Sequence, residues 1–260
     1  MSDVAEYSEI MPLQRVPLPA SGHSALAPSV PARPAPRCSS CSLRAICMPQ
    51  GLTPAELERM ESLMCVSRTI KAGESLYRAN DSFQSIYAIR AGSFKTVVMH
   101  RDGREQVTGF HLPGDSLGLD GVCSGRHSCD AIAIEDSNVC IIPFHLLEVM
   151  CREVKVVQQH VHRLMGGEIV REATLMMLLG TMSADQRLAA FLLNLSGRLK
   201  TRGYSPATFN LRMTREEIGS YLGMKLETVS RMFSKFQKDG LVDTHGKQIR
   251  ILDLEGLARV

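Results

Sequence analysis

The spacing of apolar and polar residues changes character along the chain. From Thr69 to Phe144 the apolar residues come in short β-type runs: SIYAIRAG (85–92), SFKTVVMH (93–100), EQVTGFHL (105–112), DAIAIED (130–136) and NVCIIPF (138–144). Gly73, Gly92, Asp102-Gly103, Pro113-Gly114 and a glycine-rich stretch from Gly118 to Gly125 break them up. Short strands at this spacing, with Asp-Gly marking a hairpin, predict an antiparallel barrel or jelly roll. From about Lys155 to Leu179 the period turns helical. His162, Met165, Ile169, Glu172, Met176 and Leu179 recur at 3-4-3-4-3 spacing, an a/d seam with a charge at one position. So long a helix predicts a second copy of the chain as its partner, the alternative being that the stripe packs on the protein's own barrel. Gly166-Gly167 costs the helix about 1 kcal/mol per glycine, which fits a place where two backbones approach closely.

Three helix starts are written as capping boxes: Thr53-Pro54-Ala55-Glu56, Ser183-Ala184-Asp185-Gln186 and Thr214-Arg215-Glu216-Glu217. The first opens a short helix with Leu57, Met60 and Leu63 on one face, and the second a helix through Leu195, followed by a turn at Gly203-Tyr204-Ser205-Pro206. The third opens a short helix, Ile218 and Leu222 inward, that stops at Gly223. A second helix is predicted from about Leu226 to Lys238 with Leu226, Val229, Met232 and Phe236 inward, which makes the pair a helix-turn-helix. Leu241–Leu252, centred on His245-Gly246-Lys247, reads as a hairpin wing. Glu227, Ser230, Arg231 and Ser234 then share the outward face of the second helix. A carboxylate can accept from cytosine N4, and a guanidinium can fork onto guanine O6 and N7, so this face suits the edges of bases in double-stranded DNA. An unrelated helical hairpin with a solvated charged face is the plainer alternative.

Together these elements predict an α+β chain: a proline-rich, disordered tail (1–37), a cysteine loop (38–52), a jelly-roll sensor domain (53–154), a dimerisation helix (155–182) and a winged helix-turn-helix domain (183–260). The tail assignment rests on seven of the twelve prolines, at 12, 17, 19, 28, 31, 34 and 36. Charge supports the last assignment, since residues 196–260 carry twelve Lys and Arg against seven Asp and Glu while the whole chain is only +3. No stretch approaches the roughly 20 apolar residues that cross a bilayer, and the first twenty residues lack the pattern of a secretory signal. A cytoplasmic protein without a membrane is expected. No P-loop, nucleophile elbow or paired carboxylates point to an enzyme.

In a reducing compartment eight cysteines are not expected to form a disulfide framework. Cys38, Cys41 and Cys47 place three thiols within ten residues, in a pattern suited to iron–sulfur, to zinc or to reactive thiols without metal. A fourth ligand must come from elsewhere, and spacing does not choose among Cys65, Cys123, Cys129, Cys140 and Cys151.

The runs CSSCSLRAIC, IYAIRAGSFK, TGFHLPGDSLG, VCIIPF, RLMGGEI, QRLAAFLLNLS and LRMTREEIGSYLGMKLETVSRMFSKFQ, spread from Cys38 to near Leu254, resemble the bacterial fumarate and nitrate reduction regulators (FNR). These are the oxygen-sensing branch of the cyclic-AMP-receptor-type transcription factors. The resemblance implies a cyclic-nucleotide-binding-like barrel and makes Cys38, Cys41, Cys47 and Cys140 the ligands of a 4Fe-4S cluster. It implies that the cluster-bound homodimer binds an inverted-repeat DNA site, and that oxygen converts the cluster to a 2Fe-2S form, separates the dimer and releases DNA. It also puts Ile169 at the centre of the dimerisation helix and Glu172 where an acidic residue keeps the cluster-free chain monomeric; with Met165 and Met176 of the a/d seam these are the expected dimerisation residues. Recognition falls on Glu227, Ser230 and Arg231, and RNA polymerase contacts on Gly103 and the 198–206 turn. The proline-rich tail has no counterpart in that pattern, and Arg126-His127-Ser128 fits the nucleotide-binding branch poorly. A regulator answering to a nucleotide or haem in the barrel, with incidental cysteines, is the alternative from another class; an iron–sulfur or zinc enzyme with a borrowed DNA-binding domain is a third.

Overall fold

A computed structural model describes residues 37–63, 66–100 and 102–260. The predicted tail up to residue 36, and Cys65, lie outside the described residues. The cysteine segment starts as a single 3-10 turn at Cys38–Ser40 and continues into a one-turn helix, α1 (Arg44–Cys47). Helix α2 (Pro54–Leu63) follows, opened by Thr53, whose N–H and hydroxyl donate to Glu56 at 2.8 and 2.9 Å.

Eight strands build the barrel: β1 (Val66–Ile70), β2 (Ser75–Tyr77), β3 (Ser85–Ala91), β4 (Phe94–Met99), β5 (Glu105–His111), β6 (Ser116–Leu117), β7 (Asp130–Ala133) and β8 (Ser137–Pro143). They form two antiparallel four-stranded sheets, ordered β1-β8-β3-β6 and β2-β7-β4-β5. Alternation along the strands sends Ile70, Ile89, Phe94, Ala131 and Val139 between the sheets. The residues of opposite parity on β3 and β8, namely Ile86, Ala88, Cys140 and Ile142, face the other way, into a second apolar layer. The five runs read from the sequence are β3, β4, β5, β7 and β8; the two- and three-residue strands β2 and β6 are too short to leave a period.

Two helices cover that second layer. Helix α3 (Phe144–Glu153) was not anticipated as an element separate from the long helix. Its chain leaves the helix at Val154, which has extended φ and ψ, before α4 (Lys155–Thr181) begins. Helix α4 has 27 residues, about 40 Å of rise.

The C-terminal half comprises α5 (Ala184–Thr201), β9 (Thr208–Asn210), α6 (Arg215–Leu222), α7 (Leu226–Lys238), β10 (Val242–His245), β11 (Gln248–Ile251) and α8 (Leu254–Ala258). The wing is a three-stranded sheet, β10-β11-β9, because β9 pairs with β11 from the far end of the chain segment. That long-range pairing and the short α8 left no local signal. Gly219 of α6 allows the close turn: a Cβ there would stand 2.6 Å from the Met224 carbonyl oxygen. Gly223 ends α6 with φ +63°, in the left-handed region that glycine tolerates. The inward face of α7 corrects the sequence reading at one position. Val229, Phe233 and Phe236 are buried, while Leu226 is 44% exposed, since the first helical residue lies at the rim of the α6–α7 crossing.

Candidate functional site

Three groups of residues singled out by the sequence occupy three regions. The first is the thiol group. Cys38 and Cys47 come from the cysteine loop and Cys140 from the outer face of β8, opposite Ala88 on β3 and Ser67 on β1. The loop is anchored from both sides: Ser39 N–H donates to Glu61 of α2, and the Cys47 carbonyl pairs with His160 Nε2 of α4 at 3.2 Å. Burial pushes the Cys38 thiol up to about 11, with further contributions from Cys140, Glu61 and Cys41. Burial likewise pushes Cys47 up to about 12, helped by Cys38, Cys140 and Cys41. Cys140 is raised by burial and by Cys41, against the opposing charge of Arg90. The four thiols therefore lie within one another's electrostatic reach.

Among the described residues no group of three or more His, Cys, Asp or Glu side chains is close enough to hold one metal ion. A tetrahedral zinc site needs sulfurs about 2.3 Å from a single centre, hence about 3.8 Å apart. The donor set is four thiols, soft ligands of the chemistry that holds iron–sulfur groups. Cys151 packs in the same apolar layer, Cys129 is buried inside the barrel, and Cys123 is exposed.

The second group is the α4 stripe. Its ends pack on the chain itself, Met165 against the layer that holds Cys38 and Leu179 against the C-terminal core. Its middle does not: Ile169 and Met176 are each 68% exposed, and Glu172 between them is exposed. A Cβ added at Gly166 or Gly167 would meet nothing within 4 Å.

The third is the outward face of α7, where Glu227, Ser230, Arg231 and Ser234 are all exposed. Arg231 reaches Thr228 at 3.4 Å, and Ser234 donates to the Ser230 carbonyl at 3.1 Å, so the guanidinium and the Glu227 carboxylate remain available to a partner. Lys225 is exposed at the start of α7, whereas Lys235 is held by Asp185 at 2.9 Å.

A cavity of about 720 Å³ lies between the barrel and α4, lined by Thr96, His111, Asp120, Glu168, Arg171 and Tyr221 among others. Asp120 accepts from the Ser128 N–H at 2.7 Å and from the Tyr77 hydroxyl at 3.2 Å, and pairs with His127 at 3.3 Å. A carboxylate thus occupies the donors that an anionic ligand would use, and Arg171 is engaged by Glu168 at 2.9 Å. Arg126 of the Arg-His-Ser run turns away to the Asn80 carbonyl at 2.7 Å. The chemistry of this cavity disfavours a phosphate.

Sequence reasoning missed the polar contacts between the halves. Lys95 of β4 pairs with Glu217 of α6 at 2.8 Å, both side chains mostly buried, and Glu217 also receives the Thr214 N–H at 2.7 Å. Asp115 binds Arg198 and Arg202 of α5. Phe110, Phe191 and Tyr221 form an aromatic triangle beside them, with centroids 5.2 to 6.0 Å apart. The GD of TGFHLPGDSLG was the available signal, but its partners lie more than eighty residues away.

Two family models match the chain: a cyclic nucleotide-binding domain over residues 67–154 and a Crp-like helix-turn-helix domain over 186–260. The transcriptional regulatory protein btr of Bordetella pertussis is 43% identical over 232 residues, 89% of this chain and 96% of its own length. The chain belongs to the Crp/FNR family of transcription regulators. Within the family it is also similar to the transcriptional activator protein anr of Pseudomonas aeruginosa, 41% identical over 86% of this chain and 92% of that one. The fumarate and nitrate reduction regulatory protein of Escherichia coli K12 is 41% identical over 86% of this chain and 89% of that protein. Among solved structures, FixK2 from Bradyrhizobium japonicum superposes with a TM-score of 0.69 at 31% identity, covering 75% of this chain and 96% of that one. A Crp/FNR regulator binds DNA and is not an enzyme. No described helix is long and apolar enough to cross a membrane.

In the metal-free protein, the raised thiols hold little thiolate at pH 8. Cys38 and Cys47 should therefore be alkylated by iodoacetamide at least tenfold more slowly than exposed Cys123, the gap narrowing as pH rises through about 11 for Cys38 and about 12 for Cys47. Mass spectrometry of timed digests checks this, and equal rates at pH 8 would contradict the packing described for the loop.

Proposed function

We propose that this Crp/FNR regulator is an oxygen-responsive transcription factor in which Cys38, Cys41, Cys47 and Cys140 hold a 4Fe-4S cluster that favours a DNA-binding homodimer. The observation that carries the reading is that Cys38, Cys47 and Cys140 meet in the apolar layer that also seats the start of α4, with Cys41 in electrostatic reach of all three. When bound, the cluster supplies an oxygen-labile centre that ties the loop to β8. The chain's own residues do the rest. Ligation holds Cys47 in place, the Cys47 carbonyl holds His160, and His160 lies on the helix that carries the seam. Met165 packs on the same layer one turn before Ile169, so a shift of the loop changes how the seam is presented.

Ile169 and Met176 gain burial when a second α4 covers them, while two Glu172 carboxylates brought face to face oppose it. Loop and seam therefore bias a single monomer–dimer equilibrium, the condition for coupling between two sites. In the dimer, paired α7 helices about 34 Å apart read an inverted repeat, with Glu227, Ser230 and Arg231 on base edges. Gly103 and the exposed residues of the 198–206 segment, which spans the end of α5 and the turn after it, are the surfaces we assign to RNA polymerase. The cavity beside α4 is the observation that favours a second reading, a small-molecule-responsive regulator. Its carboxylates restrict that reading to ligands that are not anionic.

Protein purified without air should contain about four irons and four sulfides per chain, and Cys140→Ser should contain neither. A colourless or zinc-loaded wild-type protein would contradict the proposal. Glu172→Ala should raise the dimer fraction of the cluster-free chain in sedimentation, because the repulsion across the seam is gone; an unchanged fraction would remove Glu172 from the seam.

A further inference from the structure

The turn Leu112–Asp115, between β5 and β6, belongs to neither the seam nor the reading face, yet it touches both halves of the molecule. On one side stands the cysteine loop. A Cβ placed on Gly114 would lie 3.0 Å from Ile46 Cγ2, so the Ile46 side chain rests against bare backbone at a residue with φ +91°. Ile46 directly precedes Cys47. On the other side stands α5. Asp115 Oδ2 accepts from Arg198 at 2.5 Å and Oδ1 from Arg202 at 2.5 Å, while Arg202 Nε donates to the Pro113 carbonyl at 2.6 Å. Arg198 also donates to the Phe110 carbonyl at 2.8 Å.

The Asp115 side chain is 11% exposed and that of Arg202 only 5%. Two guanidinium groups, each bonded at once to one buried carboxylate and to a backbone carbonyl, allow few arrangements, and parting them would strand charge away from water. Helix α5 therefore follows the turn. Leu188 and Leu192 of α5 share a core with Val229 and Phe236 of α7, so the reading helix follows α5.

We propose that Asp115 is a positioning residue, and that the Leu112–Asp115 turn carries the state of the cysteine loop to the DNA-binding half within a single protomer, in parallel with the dimer seam. The inference rests on the proposed function, in which occupancy of the loop governs DNA binding. It adds a route that changes DNA affinity without changing the dimer.

The test compares iron-loaded full-length wild type, Ile46→Ala, Asp115→Asn and the double variant, in the absence of air, at equal iron content and at concentrations where sedimentation shows a dimer. Each single variant is expected to lose about tenfold in DNA affinity with its dimer fraction unchanged. The double variant is expected to lose no more than the weaker-binding single, because both act through one turn. Losses that multiply, or that appear only where the dimer fraction falls, would overturn the inference. If Asp115→Asn does not fold, Arg198→Lys, which keeps the charge without the planar guanidinium that bridges Asp115 and the Phe110 carbonyl, takes its place with the same expectation. If wild type takes up no iron, the proposed function fails first and the inference is judged on the cluster-free chain. There Ile46→Ala should speed amide hydrogen exchange at Val107, whose N–H donates to the Ser220 hydroxyl of α6 at 2.9 Å; unchanged exchange would overturn it.

Discussion

The cysteine loop is held to the barrel by one apolar layer on the outer face of the β1-β8-β3-β6 sheet. Cys38 and Met48 enter it from the loop, Met60 from α2, Ile86, Ala88 and Ile142 from the sheet, Leu147 and Met150 from α3, and Val157 and Val161 from α4. Burying a side chain of this size stabilises by about 1.5–3 kcal/mol, so the layer is a substantial share of what keeps the loop folded onto the barrel. Close packing makes such a layer move as pieces, because a packed interface cannot deform continuously. Cys140 lies within this layer because β8 alternates: Val139 points between the sheets and Cys140 away from them. A shift of one residue in the register of β8 would put the thiol inside the barrel, out of reach of the loop.

The same alternation explains what could be read from the chain alone. Strands β3, β4, β5, β7 and β8 each keep an apolar period long enough to count, and the capping boxes at Thr53, Ser183 and Thr214 mark helix starts by chemistry that is purely local. The outward face of α7 was legible because 3.6-residue periodicity separates Val229 and Phe236 from Glu227, Ser230 and Arg231. Leu226 fell on the wrong side because periodicity cannot register where a partner helix ends. Strand β9 and the break at Val154 needed contacts that no local window contains. Cys140 could not be chosen by spacing from Cys38, Cys41 and Cys47; only the family resemblance selected it, and its place in the apolar layer with Cys38 and Cys47 depends on pairing between distant strands.

The contacts between the halves are electrostatic where the layer beneath the loop is apolar. Glu217 caps α6 and receives Lys95, so one carboxylate starts a helix of the DNA-binding half and fastens that helix to the barrel. Against the burial that would raise it, the hydrogen bonds from Lys95 and Thr214 hold its pKa below the ordinary value. Asp115 is likewise held low by Arg198 and Arg202 despite its burial. The stabilisation from both groups is present above the ordinary carboxylate range and is lost as pH falls through their lowered values. Near neutral pH these joints are fully charged, and a change in the loop has rigid connections on which to act.

The central claim is that the state of the thiol group and the state of the DNA-binding dimer are one equilibrium. The most direct test is a titration of the anaerobically prepared, iron-loaded protein with measured amounts of oxygen. Cluster absorbance, sedimentation and affinity for an inverted-repeat DNA are then followed on the same samples. The account predicts three curves that fall together, with DNA binding lost at the oxygen dose that consumes the cluster. DNA binding that persisted after the absorbance had gone would contradict it.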